Sequence, residues 1–386
     1  MFQARWHEDR LLFASRPALF ALLRAGRLLG PIRHVPKLGW VVTDPSLARK
    51  ILNDGAHFTL LGEGGVGHLW AQVLGDYVYR IFDGPGHADL RSRARDLFTD
   101  ASAQQLVERV FAPALRPARD RLRAGRAIDL ADLARVLVGR MMIELLGLDE
   151  ADDARRVFAT GERLAKLALG SATSTTLPRA VIDQARPLIA GLTRNVPRAY
   201  AEADPATLLG RCRELGLSEE ETTGLAALLM VAGTETAATA MTRIVALLHD
   251  TGDQHRLLAD PGLLGGAVRE GLRVTTPAPV IGRHVSHAVT VGGSSLHKGQ
   301  RVLLLTHTAN NAVGPFDIGR PYAPETRQLW FGAGRHLCLG AALARAEIGH
   351  LLHALFEPGR PVVVGPRRPA RNVLIPGYES LPVRLA

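Results

Sequence analysis

One of the two cysteines of this chain, Cys338, lies in a glycine-rich run, Phe331-Gly332-Ala333-Gly334-Arg335-His336-Leu337-Cys338-Leu339-Gly340. A helix-forming stretch opens directly after it at Ala341. A thiol in that place sits near the positive end of a helix and beside Arg335 and His336, and both features depress its pKa. The glycines let backbone N–H groups approach the sulfur closely. A thiolate held in this way suits metal ligation; a cysteine without such a setting would read as a buried, inert side chain. A second pattern, Ala232-Gly233-Thr234-Glu235-Thr236, falls within a long helical stretch. Gly233 costs up to about 1 kcal/mol against alanine in a helix interior, and it leaves room for a ligand against the helix face. Thr236, three residues on, shares that face, and its hydroxyl can bond a bound molecule or a water. Glu235 follows an apolar run, Leu225 to Met230, so a carboxylate there needs a reason. A third pattern is Glu270-Gly271-Leu272-Arg273, an acid and a base on one helix face.

The elements that must position these residues are mostly helical. Gly39–Thr43 reads as a short strand, with Pro31–Val35 as its hairpin partner. Leu19–Leu29, broken by Arg24 and Arg27, and Pro45–Asn53 have helical spacing, as does the chain from Gly86 to Gly147. Gly62–Tyr79 shows no clean period and reads as a long irregular segment of the kind that is often functional. Leu217–Asp250 carries the longest helical signal, and Ser218 with Glu221 forms a capping box at its start. Strand-like pieces follow at His284–Val291 and Arg301–Leu305. In Val373–Leu385, Pro376-Gly377 reads as a turn between two short strands. No repeat or low-complexity linker divides the chain. The expectation is one mainly α domain with minor β-sheets spanning residues 1–386.

Composition narrows the class. The 386 residues carry 47 basic and 37 acidic side chains, a net charge of +10. The basic residues are mostly arginines scattered singly, with no zinc-ligand spacing or nucleic-acid motif beside them. They read as a solvated surface, part of which can dock an acidic electron-transfer protein. The other cysteine, Cys212, lies in a polar run and reads as incidental, so a disulfide framework is excluded and a reducing compartment fits. No stretch has the roughly 18 consecutive apolar residues of a membrane span, and the N-terminus lacks the apolar core of a signal peptide. A soluble, cytoplasmic protein is expected.

The cysteine run closely resembles the haem-binding loop of the cytochrome P450 family, with Phe331, Gly334, Cys338 and Gly340 in place. The resemblance extends from roughly residue 30 to the end of the chain. It implies the cytochrome P450 fold, haem b as cofactor and Cys338 as the axial thiolate, a ligand whose donated electron density favours O–O cleavage. Phe331, Gly340 and Gly233 would border the haem. The phrase Asp83-Gly84-Pro85-Gly86-His87-Ala88-Asp89-Leu90-Arg91 is similar to the family's helix start, so that His87 and Arg91, with Arg283 and His336, would meet the haem propionates. Thr236 would help deliver protons to dioxygen, with Glu235 in the relay. Glu270 and Arg273, completed by Arg320, would form a structural ion-pair set that braces the thiolate loop. The passage Asn311-Ala312-Val313-Gly314-Pro315-Phe316 is several residues shorter than its family counterpart, and Trp330 is bulkier than the residue usual there.

The resemblance further implies monooxygenation. One oxygen atom of O2 enters a small, largely lipophilic organic substrate and the other leaves as water, with electrons from a separate ferredoxin and its reductase. The pocket would be lined by Leu69, Val73, Leu229, Ala232, Pro279, Val280 and Ile375, within segments such as Leu69–Val78 and Leu374–Ile375. Two other readings stand beside this one: a haem-thiolate enzyme of oxidative coupling, rearrangement or peroxide-driven oxidation, and a non-catalytic haem-based sensor. The adjacent Glu235 and Thr236 favour dioxygen activation over both.

Overall fold

The computed structural model describes every residue except 1, 76–82, 85, 149–152, 170–174, 206 and 374, and leaves out the side chains of 2, 3, 96, 168, 169 and 325. Residues 76–78 of the expected pocket segment, and Leu374, therefore lie outside the described residues.

A central helix, Glu219–Thr251, organises the rest. At 1.5 Å per residue its 33 residues run roughly 50 Å. The capping box is present: Glu221 N–H donates to Ser218 Oγ at 3.1 Å, and Ser218 N–H donates to Glu221 Oε2 at 2.8 Å. Three glutamates in the first turn complement the helix dipole, and Gly252, at φ 78°, ends it. The helix is apolar nearly all round, as a helix within a core must be. By length and composition alone it could cross a membrane, yet 67% of its apolar window is buried within the protein. Flanking helices Leu130–Leu145, Ala154–Leu169, Leu264–Thr275 and Ala341–Phe356 pack around it.

A five-stranded sheet lies to one side. Strands β1 (Ile32–Val35) and β2 (Gly39–Val42) form the expected hairpin, with Val35 opposite Gly39. Short β3 (Phe58–Thr59) lies at the far edge, while β4 (Ile128–Asp129) belongs elsewhere. The expected strand His284–Val291 is two: β5 (Ile281–Val285) and β6 (Val289–Val291). Between them Ser286 N–H donates to His57 O at 2.8 Å and takes the chain out of the first sheet. β6 then pairs with β7 (Ser294–Leu296), and β8 (Arg301–Leu304) completes the larger sheet in the order β1-β2-β8-β5-β3. Near the C-terminus come β9 (Val362–Val364), β10 (Arg368–Pro369), β11 (Tyr378–Ser380) and β12 (Pro382–Leu385). The bends fall at Asn372 and Ile375 and not at Pro376-Gly377, Ala370 N–H donates to Gly377 O at 2.9 Å, and neither Val373 nor Ile375 lies in a strand. Val373 N–H instead donates to Ser15 O of the N-terminal helix Phe2–Ser15 at 3.2 Å.

Another expectation gives way at Gly62–Tyr79, where residues Val66–Leu74 form a helix. Leu69, Trp70, Ala71 and Val73 are all buried there. Apolar side chains on adjoining faces erase the 3.6-residue period that would have announced it.

Three charged side chains meet inside the fold. Arg273 Nη2 and Nε each donate to Glu270 at 2.8 Å, and Arg320 Nε donates to Glu270 Oε2 at 3.2 Å. Arg273 also donates to the carbonyl oxygens of Asn310 at 2.8 Å, Gly314 at 3.1 Å and Pro315 at 3.0 Å. Arg320 adds Val313 O at 3.2 Å and Pro315 O at 2.7 Å. The set thus fixes the short 310–315 passage by its carbonyls. Glu270→Ala leaves Arg273 buried without its counter-charge, at a cost of roughly 3–5 kcal/mol. We expect a matching loss of unfolding free energy in denaturant titrations; an unaltered midpoint would show the pair to be dispensable.

Candidate functional site

The cysteine loop is shaped by its own backbone and by what it leans on. Cys338 N–H donates to Phe331 O at 2.9 Å, closing the loop on itself. Gly332 and Gly334 have φ of 79° and 66°. A Cβ on Gly334 would also lie 2.4 Å from Leu52 O, so only glycine fits against the end of helix Pro45–Asn53. Gly340 differs: its Cβ position meets no protein atom within 4 Å. Cys338 is enclosed by the surrounding fold, yet its side chain keeps exposed surface.

The expected depression of the Cys338 pKa is reversed in the protein alone. Burial raises it, and the Gly340 N–H, Arg91 and Arg345 oppose this only in part. The cations next to the cysteine are already engaged. Arg335 pairs with Asp83, and His336 Nε2 lies 3.2 Å from Asp83 Oδ1. Burial of Asp83 disfavours its charge, but bonds from His336, Thr59 and the Leu60 N–H outweigh this and bring its pKa down to about 2. Asp83 was missed as a site residue, although it opens the phrase that contains His87 and Arg91. A metal cation at the sulfur would restore the thiolate, because it stabilises the deprotonated form directly.

Residues far apart in sequence converge on one cavity: His87, Arg91, Arg283, Phe331 and His336, with Leu60, Val66, Leu228, Ile281 and Gly332 completing the wall. His87 Nε2 lies 3.3 Å from Arg335 O, and Arg91 donates to Leu337 O. These two therefore hold the cysteine loop as well as facing the cavity. Arg283 tests what the cavity suits. It is 4% exposed, and its guanidinium bonds Gly282 O at 2.9 Å with no ion pair among the described residues. Burial brings its pKa down to about 10, with Asp83 pulling the other way. A buried cation in this state wants an anion. The propionates of a haem are such anions, Cys338 supplies the iron ligand, and Phe331, Ile281 and Leu228 supply an apolar wall. The residues present fit the group.

The central helix continues unbroken through Ala232–Thr236. Ala232 is exposed although it lies mid-way along a buried helix, one turn beyond Leu228, so this face borders the hollow. A Cβ on Gly233 would touch Met142 Cε alone, at 3.4 Å, so packing does not demand glycine there. Thr236 Oγ1 donates to Ala232 O at 2.9 Å, which leaves its lone pairs open to a donor. Glu235 points elsewhere, into a small polar recess shared with Glu162, Arg135 and Thr239. Burial and the Glu162 charge raise its pKa to about 7, against a weaker pull from Lys166. Cys212 is buried and its pKa is raised to about 11, as an inert thiol's would be.

Of the pocket residues expected from sequence, Ala232 faces the hollow and Ile375 borders the Glu235 recess. The others need correction. Leu69 and Val73 are buried in the core, and Val66 of the same helix lines the cavity instead. Leu228 lines it in place of Leu229. Pro279 is buried, and its carbonyl accepts from His307 N–H at 3.1 Å. Val280 packs against Leu12, Leu19 and Leu305. Its neighbour Ile281 lines the cavity together with Arg283, because alternate residues of β5 share a face.

A deep thiol, a buried cation short of an anion and a helix face opened to a hollow define a haem-thiolate protein. A family model described as Cytochrome P450 matches residues 250–358. The chain is 32% identical over 316 residues to a mycinamicin IV hydroxylase/epoxidase of Micromonospora griseorubida, covering 78% of each chain. It is 33% identical over 200 residues to the putative cytochrome P450 YjiB of Bacillus subtilis, covering 50% of this chain and 49% of that one. The chain thus spans about half the length of the first curated relatives it matches. The crystal structure of P450BioI in complex with an acyl carrier protein superposes with a TM-score of 0.79 at 23% identity, covering 97% of this chain and 100% of that one. The chain belongs to the cytochrome P450 family, whose cofactor is haem b.

Two measurements probe the site. Cys338→His should move the red-shifted absorption band of the reduced, carbon monoxide-treated protein to the shorter wavelength of imidazole ligation, while Cys212→Ser leaves it in place. The second concerns Glu235, whose pKa rises from 4.5 unfolded to about 7 folded. Its carboxyl is protonated in both states below the lower value, so stability falls as pH rises through this window and stays low above it. Glu235→Gln lacks the dependence. It should be more stable than the native protein at pH 8, by roughly 3 kcal/mol at about 1.4 kcal/mol per unit, and equally stable at pH 4. Parallel denaturant curves at the two pH values check this.

Proposed function

We propose that this protein is a haem-thiolate monooxygenase of specialised metabolism, acting in the cytoplasm on a small, largely lipophilic substrate. The observation that carries this reading is the convergence of His87, Arg91, Arg283 and His336 on one cavity beside Cys338 and beneath the helix face of Ala232 and Thr236. Bound there, haem would supply a thiolate-ligated iron at which dioxygen is reduced. The overall reaction is R–H + O2 + 2 electrons + 2 protons → R–OH + H2O. For an alkene the atom forms an epoxide instead, and the hydroxylase/epoxidase name of the Micromonospora relative supports both outcomes.

The chain's own residues divide the remaining work. Arg283 and Arg91 hold carboxylates at the cavity edge, and the apolar wall excludes water from the reacting face. Thr236 presents hydroxyl lone pairs that can order a water or the substrate. Glu235 opens into its own recess and not into the cavity; with a pKa near 7 it is half protonated at neutral pH, and a part in the relay runs through an intervening group. A peroxide-driven enzyme would leave Glu235 and Thr236 without a task. Electrons come from a separate donor. A ferredoxin-type acidic protein suits the net charge of +10.

Thr236→Ala deletes the hydroxyl and little else. Acid–base assistance of this kind is worth about 10²–10⁴-fold. Substrate binding and electron consumption should persist, while product gives way to hydrogen peroxide. Product, peroxide and reductant measured in parallel decide it; an unchanged product-to-reductant ratio would assign Thr236 to packing.

A further inference from the structure

A larger cavity, about 530 Å³, lies elsewhere in the fold and shares no lining residue with the haem-thiolate cavity. It opens between the N-terminal helix, the second helix Pro17–Gly26 with Arg27 just beyond it, the last turns of the central helix and the 311–316 passage. Leu247 of its wall lies nineteen residues along the central helix from Leu228 of the haem-thiolate cavity. At 1.5 Å per residue the two cavities are roughly 28 Å apart along that axis.

Its walls and its rim differ in character. Leu12, Leu247, Val274 and Phe316 form an apolar interior, each buried in the fold. At the rim stand Arg5, Arg24 and Arg27. The two acids of the lining are already spent: Asp9 pairs with Arg24, and Glu8 pairs with Arg243 at 2.5 Å. The side chains of Arg5 and Arg27 have no ion pair or hydrogen bond among the described residues. The three guanidinium groups also act on one another. Burial lowers the pKa of Arg24, with further lowering by Arg27 and Arg5, and Arg27 is lowered by burial and by Arg5. Deeper in, the His307 ring faces the cavity and has no hydrogen-bond partner among the described residues. Burial, Arg243, Arg27 and Arg24 hold its pKa down to about 3. It is therefore a neutral donor and acceptor, and adds no charge.

An apolar chamber of this size matches the 300–1,000 Å³ range typical of small-molecule sites, which have few but placed polar groups. Two surplus cations at its mouth select the sign of the ligand's polar end. We propose that this cavity is a second binding site, which takes an amphipathic carboxylate with its apolar body against Leu12, Leu247, Val274 and Phe316 and its carboxylate on Arg5 and Arg27.

The test uses the haem-loaded protein with the haem-side pocket filled by saturating 4-phenylimidazole, whose place is verified by the haem absorption band. Decanoate is then titrated by calorimetry, and decanol in parallel. One equivalent of decanoate should bind to the blocked protein. Arg5→Gln/Arg27→Gln should weaken decanoate by about tenfold to a hundredfold, as loss of charge-assisted bonds implies, and leave the weaker decanol binding unchanged. The double variant replaces rim side chains that make no contact to lose, and an unaltered azole titration shows that it is folded. Decanoate that fails to bind the blocked protein overturns the proposal. So does decanoate that binds native and double variant alike, or no tighter than decanol.

Discussion

Burying a charge is tolerable only where every donor and acceptor finds a partner, and the proximal half of this fold is arranged around one place that meets the condition. Glu270, Arg273 and Arg320 satisfy one another, and their remaining N–H groups close on four backbone carbonyls between Asn310 and Pro315. Two of these carbonyls end the helix Thr306–Asn310 and the 3₁₀ turn Asn311–Val313 and two belong to the irregular residues after them, so the guanidinium groups supply donors that no ladder supplies. Through the neighbouring helix Thr306–Asn310 the same passage abuts the segment that leads into the cysteine loop. A site needing fixed geometry is thus supported by charges that cannot leave without stranding one another.

The other buried cations obey the opposite rule. Arg283 has no ion pair among the described residues, and Arg91 gives one donor to the Leu337 carbonyl. Cys338 has an elevated pKa where a ligand thiolate is wanted. Each of these is a cost to the polypeptide alone, and a bound haem would offset each through its propionates and its iron. Asp83 keeps Arg335 and His336 from adding to the excess. The polypeptide is electrostatically incomplete in the shape of its cofactor.

The sequence was legible where a residue's identity restricts the backbone or where partners lie close in the chain. The capping box at Ser218, the hairpin at Val35–Gly39 and the Glu270–Arg273 pair are all local, and all are found where expected. Arg320 and the set around Arg283 depended on resemblance, because no local rule connects positions so far apart. The misses have two physical origins. Leu229 against Leu228, and Val280 against Ile281, are errors of facing by a single residue, and an apolar run looks the same from either side. Helix Val66–Leu74 was hidden by apolar residues on adjoining faces. Asp83 went unnoticed because its partners, Arg335 and His336, lie some 250 residues downstream.

The link between Glu8 and Arg243, which also reaches Pro376 O at 3.4 Å, has a consequence for the order of events in synthesis. The helix Phe2–Ser15 carries Glu8, but its partner on the central helix is made 235 residues later, and Pro376 later still. Until then Leu12 can pack against Leu19 and Leu23 of the next helix, but the side of this helix that meets the central helix lacks its partner. At 5–20 residues per second this interval lasts roughly ten seconds or more. Docking of this helix onto the central helix therefore comes among the later steps of folding.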